Sequence, residues 1–153
     1  MKSAPNLVLA LCTAALAAPA AAQFAKAEDA IKYRQSALTV LGTHFAHLGA
    51  MADGKIAYDA PAAAANADVV LLASRLPWHA FGPGTDKGRE TAARPEIWQQ
   101  PDKFRERSQA MQAQVADALV PAARSGNLDQ LKAAFGPTAR SCKACHDDFR
   151  RKR

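Results

Sequence analysis

The sequence predicts an all-α protein that folds as an antiparallel, up-down-up-down four-helix bundle. Beyond residue 22, no segment shows the alternation of apolar and polar residues typical of a β-strand, whereas apolar residues recur at heptad-like spacings. Ala, Lys, Arg, Gln and Leu, which favour helix, dominate the chain. Amphipathic helices with mostly short connections pack antiparallel, at crossing angles of about 20° for this spacing. The length of 153 residues suits a single domain.

The first 22 residues are a segment of a different kind. Lys2 precedes the apolar run from Leu7 to Ala17, and small residues follow. This order is typical of a cleavable secretory signal, with cleavage between Ala22 and Gln23. The run is shorter than the roughly 20 apolar residues that a membrane-spanning helix needs. We therefore predict export to the periplasm without membrane insertion, and a mature domain that covers residues 23–153.

The composition of this mature domain excludes some classes of partner. Without residues 1–22 the chain has 19 basic and 14 acidic residues, a net charge of +5, and two cysteines. The positive charge is spread widely except for "RRKR" at the C-terminal end, which suits the negative pole of a helix. Nucleic acid is not a predicted partner, because its binding needs a concentrated basic face.

Apolar spacing and helix-breaking residues define the first two helices. The first is predicted from about Glu28 to Met51 and ends near Asp53 and Gly54. The second starts after Pro61 and stops at Pro77, which cannot donate a backbone hydrogen bond. The residues predicted to face inward are Ile31, Leu38, Leu41, Phe45 and Leu48 in the first helix, and Val69, Leu72 and Leu76 in the second.

A long loop from Pro77 to Gln100 should separate the second helix from the third. It contains three prolines and three glycines, too many for a continuous helix. Long loops often carry function. Its large apolar residues are predicted to be packing anchors rather than ligand contacts: Trp78, Phe81, Ile97 and Trp98.

The third and fourth helices complete the predicted bundle. The third begins near Pro101, and Pro121 should kink or loosen its last turn. The fourth starts at Asn127, a good N-terminal cap. The third helix should bury Phe104, Met111, Val115 and Ala118, and the fourth has one apolar seam of Leu128, Leu131, Phe135, Cys142, Cys145 and Phe149.

The most specific motif is "SCKACHDDF", in which Cys142, Cys145 and His146 have the Cys-x-x-Cys-His spacing of c-type haem attachment. In such sites the cysteines form thioether bonds to the haem and the histidine ligates the iron. Spacings of three and four place all three side chains on one helix face. The alternatives are a disulfide, usual for two cysteines in an exported protein, and a thioredoxin-like pair, which lacks its strand-helix-strand pattern. We predict one covalent haem c per chain.

Four segments together resemble the cytochrome c′ family: "QFAKAEDAIKYRQSALTVLGTHF", "LPWHAFGPGT", "ARPEIW" and "SCKACHDDFRRKR". The resemblance spans nearly the whole mature chain. It implies a haem near the C-terminus, a high-spin iron with His146 as its sole protein ligand, and a homodimer. It also implies haem contacts from further residues: Arg34 and Gln35 at the propionates, Glu90 and Thr91 at the haem edge, and Arg150 near the proximal face.

The mature chain shows no evident second ligand for the iron. Its only methionines are Met51 and Met111, and the stretch from Phe24 to Ala50, where six-coordinate relatives carry a ligating methionine, has none. By resemblance, Leu38 faces the iron opposite His146, and its side chain cannot ligate. The other three histidines are predicted to be surface or hydrogen-bonding residues: His44, His47 and His79.

Two functions follow from this interpretation. A five-coordinate ferrous haem behind a leucine would bind nitric oxide and carbon monoxide, whereas oxygen would benefit from a distal hydrogen-bond donor. A haem beside a basic face could also pass single electrons to an acidic redox partner. The alternative is a low-spin, six-coordinate class II cytochrome that acts purely as an electron carrier. No enzymatic activity is predicted, because a peroxidase needs distal acid-base groups.

Overall fold

The computed structural model describes residues 23–152, and helices form most of this part of the chain. The elements in chain order are α1 (Ala27–Ala52), α2 (Ala60–Ala73), a 3-10 turn (Trp78–Ala80), α3 (Glu96–Gln99), α4 (Pro101–Gln114), a π-helical turn (Val115–Leu119), α5 (Val120–Arg124) and α6 (Leu128–Phe149). The π-helical turn joins α4 and α5 into one long helix. Together with α1, α2 and α6, this helix makes the predicted four-helix bundle. The predicted signal segment lies outside the described residues.

The helix boundaries follow local chemistry. The side chain of Asp59 accepts a hydrogen bond from the backbone N–H of Ala62, which caps α2. Asn127 caps α6 through the N–H groups of Asp129 and Gln130, as predicted. The second helix ends at Ala73 rather than beside Pro77, because residues 74–77 form a turn that leads into the Trp78–Ala80 segment.

Pro121 loosens the third bundle helix, as its position predicts. A proline cannot donate to the carbonyl four residues before it, and its ring crowds that carbonyl. The π-helical turn Val115–Leu119 lies immediately upstream, and the helix then resumes through Arg124. Such a widened turn accommodates a proline without ending the helix.

The core lies along the bundle axis. Of the residues predicted to face it, six are buried (Ile31, Leu48, Met111, Val115, Leu131 and Phe149), and most of the others are half-buried. Its centre comprises Leu48, Met51, Val70, Met111, Val115, Leu119 and Leu131, each at most 5% exposed. The inward assignment of Leu72 is wrong, because this side chain is 64% exposed. Helix α2 instead turns its small residues inward, and Ala63, Ala67, Val70 and Ala73 are buried there. None of the described helices is both long and apolar enough to cross a membrane.

Helices α1 and α6 meet closely at one level of the bundle. The rings of Phe45 and Phe135 stack with centroids 4.5 Å apart. A Cβ atom added to Gly49 would lie 2.7 Å from the tip of the Phe135 ring. Glycine at this position therefore allows the two helices to approach, and this contact sets the register between them.

Candidate haem-binding site

The three residues of the attachment motif lie on one side of α6. Cys142 packs against the hydrophobic core, Cys145 is also half-buried, and His146 lies in a more exposed position. Burial raises the pKa of Cys142 and raises the pKa of Cys145 to about 11, so both thiols are protonated at neutral pH. Partial desolvation and the charge of Arg150 lower the pKa of His146. This shift favours the neutral imidazole, which is the form that ligates a metal.

The register of α1 and α6 brings Leu38 and His146 to the same seam between these helices. Leu38 is seven residues before Phe45 on α1, and His146 is eleven residues after Phe135 on α6. At 100° per residue, each of these steps is close to a whole number of turns, so Leu38 and His146 lie on the same helix faces as the two stacked rings. Because the helices are antiparallel, both steps run the same way along the bundle. Along the helix axis, Leu38 is about 10 Å from Phe45, and His146 is about 16 Å from Phe135. Leu38 thus lies level with the turn that carries Cys142.

Leu38 is more exposed than the other members of its predicted heptad row. It is 37% exposed, whereas Ile31, seven residues earlier, is completely buried. Leu38 therefore lies on the face of α1 that borders the α1–α6 seam, but it is not buried in the core as the sequence predicted.

The side chain of Arg34 holds the long loop against α1. This residue is only 2% exposed. Its Nη1 donates to Ala80 O at 3.0 Å and to Thr85 Oγ1 at 2.9 Å. Its Nη2 donates to Thr85 O at 2.8 Å and to Thr91 Oγ1 at 3.2 Å. The guanidinium also lies over the Phe81 ring, 4.4 Å from the centroid.

The next residue, Gln35, extends this contact to the predicted haem-edge segment. Its Nε2 donates to the backbone carbonyl of Glu90 at 2.9 Å, and its Oε1 accepts from Arg89 Nε at 3.3 Å. The structure therefore brings together all four residues that resemblance placed near the haem propionates and edge: Arg34, Gln35, Glu90 and Thr91.

Arg34 is a buried cation whose hydrogen-bond partners are all neutral. None of the carboxylates in residues 23–152 forms a hydrogen bond or salt bridge with it. Burial lowers the pKa of Arg34 to about 10, while the negative charge of Asp86 acts in the opposite direction and raises it. At this pKa the side chain remains charged at neutral pH. Four of its five N–H groups donate hydrogen bonds to the loop, and Nε–H is the remaining donor. An anionic group in this region would complement the charge.

The far end of the same loop is joined to the end of α6. The N–H of Arg94 donates to Phe149 O at 3.0 Å, and the N–H of Arg151 donates to Ala92 O at 2.8 Å. Arg94 also donates through Nη1 to Asp147 O at 3.3 Å and pairs with Glu96. The loop consequently ties the N-terminal half of α1 to the residues just beyond His146.

The loop, the α6 terminus and the attachment motif surround a cleft of about 740 Å³. Its lining comprises Arg94, His146, Asp147, Arg150, Arg151 and Lys152. Four of these six residues are cationic, and Asp147 is already paired with Lys143. This open, charged cleft therefore has a positive rim beside His146. It also places Arg150 beside His146, as the sequence predicted.

These features fit a haem. Two half-buried protonated thiols and a neutral imidazole share one face of α6, and the buried cation of Arg34, which has no carboxylate among its hydrogen-bond partners, lies on α1 against the adjoining loop. Sequence reasoning missed the roles of Thr85 and Arg94. Their contacts join residues 51 and 53 positions apart and leave no periodic signal.

Comparisons with known proteins agree with this site. The model of the family described as cytochrome C′ matches residues 29–150. The chain belongs to the cytochrome c′ family. Cytochrome c′ from Alcaligenes xylosoxydans xylosoxydans is 50% identical over 131 residues, which cover 86% of this chain and 100% of that relative. The family assignment makes this chain a haem protein and implies a haem of the c type.

Solved structures of the family show the same bundle. The crystal structure of cytochrome c′ from Rubrivivax gelatinosus has a TM-score of 0.80 and 47% identity, and covers 84% of this chain and 99% of its own. The nitric oxide complex of a leucine-to-alanine mutant of cytochrome c prime from Alcaligenes xylosoxidans has a TM-score of 0.78 and 47% identity. That comparison covers 86% of this chain and 100% of the mutant.

Replacing Arg34 tests its role in holding the loop. We expect Arg34→Met to lower the free energy of unfolding by roughly 2–4 kcal/mol, because buried carbonyls of Ala80 and Thr85 lose their donors. Urea unfolding of the mature protein measures the change. Trypsin cleavage after Lys87 and Arg89 should also accelerate. The matched control is Lys32→Met, an exposed cation on the same helix. Equal stability of the two variants would contradict this role.

Proposed function

We propose that this protein is an exported, periplasmic c-type cytochrome whose haem is attached through Cys142 and Cys145. His146 is the only protein ligand, so the iron is five-coordinate and high-spin, and its open side binds nitric oxide and carbon monoxide. The observation that carries this proposal is the composition of the α1–α6 seam. The α1 side chains directed along it are Ile31, Leu38, Gly42, Phe45 and Gly49, and none of them can ligate iron.

The positions of the methionines argue against the six-coordinate alternative. Met51 and Met111 are 4% and 5% exposed and belong to the packed core. Met51 lies two residues beyond Gly49, at the level of the Phe135 contact and away from the attachment turn. A low-spin electron carrier would need one of these side chains to leave the core and reach the iron.

The surroundings of Leu38 favour neutral diatomic ligands. A carbon side chain offers no hydrogen bond to a bound ligand, so a polar or charged ligand gains nothing from it. Haem, when bound, would supply the ferrous iron for the gas. This chain would hold the haem through Cys142, Cys145 and His146 and would offer the apolar side chain of Leu38 along the α1–α6 seam. Nitric oxide complexes of variants of the related Alcaligenes protein support the same class of ligand for this chain.

A second role, single-electron transfer, is favoured by the charge of the cleft. Arg94, Arg150, Arg151 and Lys152 form a positive rim beside His146. Such a rim would attract an acidic redox protein and speed its association at low ionic strength. Gas binding and electron transfer use different faces of the site and are compatible. Neither role is enzymatic, and the predicted iron face has no acid-base pair for peroxide cleavage.

The attachment and coordination of the haem can be tested together. Mass spectrometry of protein from a haem-competent host should show a chain that begins at Gln23 and carries one covalent haem. Absorption spectra should be high-spin in both the oxidised and reduced states and should change when nitric oxide or carbon monoxide is added. A disulfide-linked protein without haem would overturn the attachment, and a low-spin spectrum would overturn the coordination alone.

Leu38→Ala tests whether this side chain controls access to the iron. A ligand that enters along the α1–α6 seam must push the partly exposed Leu38 side chain aside, at a cost of about 1–3 kcal/mol. Its removal should therefore speed carbon monoxide association roughly 10- to 100-fold. Stopped-flow measurements on the ferrous protein compare it with Val40→Ala, an exposed apolar residue on another flank of α1. Association as slow in Leu38→Ala as in the wild type would show that another group limits entry.

We also propose that the protein is a homodimer, with α1 and α2 supplying the self-complementary surface. Val40 and Leu72 are 45% and 64% exposed and lie on these two helices. Exposed apolar residues on adjacent helices suit a two-fold contact between identical chains. Sedimentation equilibrium at micromolar concentration should give the dimer mass, and Leu72→Gln should shift the equilibrium towards the monomer. A wild-type monomer throughout that range would refute dimerisation without affecting the haem assignment.

A further inference from the structure

Three charged side chains join α4 to the last turn of α6. The Oδ2 atom of Asp148 accepts a hydrogen bond from Arg107 Nε at 3.2 Å, and its Oδ1 atom lies 3.0 Å from Lys103 Nζ. Asp148 is two residues beyond His146, a step of about 200° around the helix, so it points away from the cleft that His146 lines. Lys103, Arg107 and Asp148, here called the α4–α6 charge network, have no part in the site described above.

The α4–α6 charge network lies one helical turn from Cys145. Asp148 follows Cys145 by three residues, which makes the two side chains neighbours on the surface of α6. Phe149, four residues after Cys145, packs against the Phe104 ring of α4 with centroids 5.2 Å apart, so this face of α6 is turned towards α4. Both signs of charge act on the sulfur: burial is the main cause that raises the pKa of Cys145, the carboxylate of Asp148 also raises it, and the guanidinium of Arg107 lowers it. The network is therefore beside one of the two proposed attachment points.

The α4–α6 charge network has a net charge of +1, because two cations share one carboxylate. The side chains of Lys103 and Arg107 are 42% and 40% exposed, and that of Asp148 is 26% exposed. Salt and water screen such partly buried charges less than fully exposed ones. Loss of one electron from a haem iron adds one positive charge, so a positive charge nearby disfavours the ferric state and a negative charge favours it.

We propose that the α4–α6 charge network sets the reduction potential of a haem attached at Cys145, and that Asp148 lowers this potential by neutralising part of the positive charge of Lys103 and Arg107. The inference rests on the proposed haem attachment. Asp148 acts through its charge and not through contact with the iron. Removal of that charge leaves Lys103 beside α6, because its Nζ also lies 5.9 Å from the centroid of the Phe149 ring.

Redox titration of the haem-loaded protein tests this inference. Asp148→Asn removes the negative charge at nearly constant side-chain size and should raise the potential, so that the ferrous-to-ferric ratio at a fixed applied potential increases roughly three- to tenfold. Arg107→Gln removes one cation and should decrease the ratio by a similar factor. The double variant Asp148→Asn, Arg107→Gln keeps the net charge of +1 and should return the ratio close to that of the wild type.

The matched control is Asp68→Asn, which removes a carboxylate that is likewise paired with an arginine, Arg124. Arg124 lies just before α6 begins at Leu128, whereas Asp148 lies at the other end of this helix, about 30 Å away along its axis. Asp68→Asn changes the net charge of the protein by the same amount as Asp148→Asn. It should leave the potential unchanged.

Three results would overturn the inference while covalent haem is present in every variant. The first is an equal potential of the wild type and Asp148→Asn. The second is a shift of the same sign in Asp148→Asn and Arg107→Gln, because a loosened end of α6 rather than charge would then be the cause. The third is an equal rise in Asp68→Asn, which would show a general effect of net charge. Mass spectrometry before each titration identifies a wild type without haem, a result that would overturn the proposed attachment and this inference with it.

Discussion

The burial of the Arg34 guanidinium is the constraint on which the arrangement of the site depends. A charge held at 2% exposure must find hydrogen-bond acceptors, and the four that Arg34 uses belong to the segment between α2 and α4. The loop is therefore drawn over the N-terminal half of α1. Its other end pairs with residues 149–151 beyond the attachment motif. One buried cation thus couples the helix that carries Leu38 to the helix that carries His146.

The bundle could be predicted from the sequence because its signals are local. Heptad spacing located α1 and α6, the cap at Asn127 located a helix start, and Pro121 marked the distorted turn. The orientation of α2 could not be predicted in the same way. Nearly all of its residues are apolar, so spacing does not distinguish its faces. Packing against α1 selected the face with alanines, because small side chains allow close approach, and left Leu72 outside.

The site was only partly predictable, for a related reason. Cys142, Cys145 and His146 lie within five residues of the sequence, so their chemistry could be predicted without knowledge of the fold. Family resemblance placed Gln35 at the haem propionates and Glu90 at the haem edge, and the structure shows a hydrogen bond between these two residues. Thr85 and Arg94 act through hydrogen bonds to residues about fifty positions away, in a loop with no periodicity. Nothing in the local pattern marks such residues, because their partners are chosen only after the helices have packed.

The antiparallel bridge between Ala93 and Arg150 has a consequence for the order of assembly. During synthesis, the loop emerges some sixty residues before Arg151, whose N–H donates to Ala92 O next to that bridge. Its contacts with Arg34 can form earlier, but closure of the second end must wait until the segment through Arg151 is available. The cleft beside His146 therefore takes its final shape only after the residues that follow the attachment motif have been synthesised and have paired with the loop.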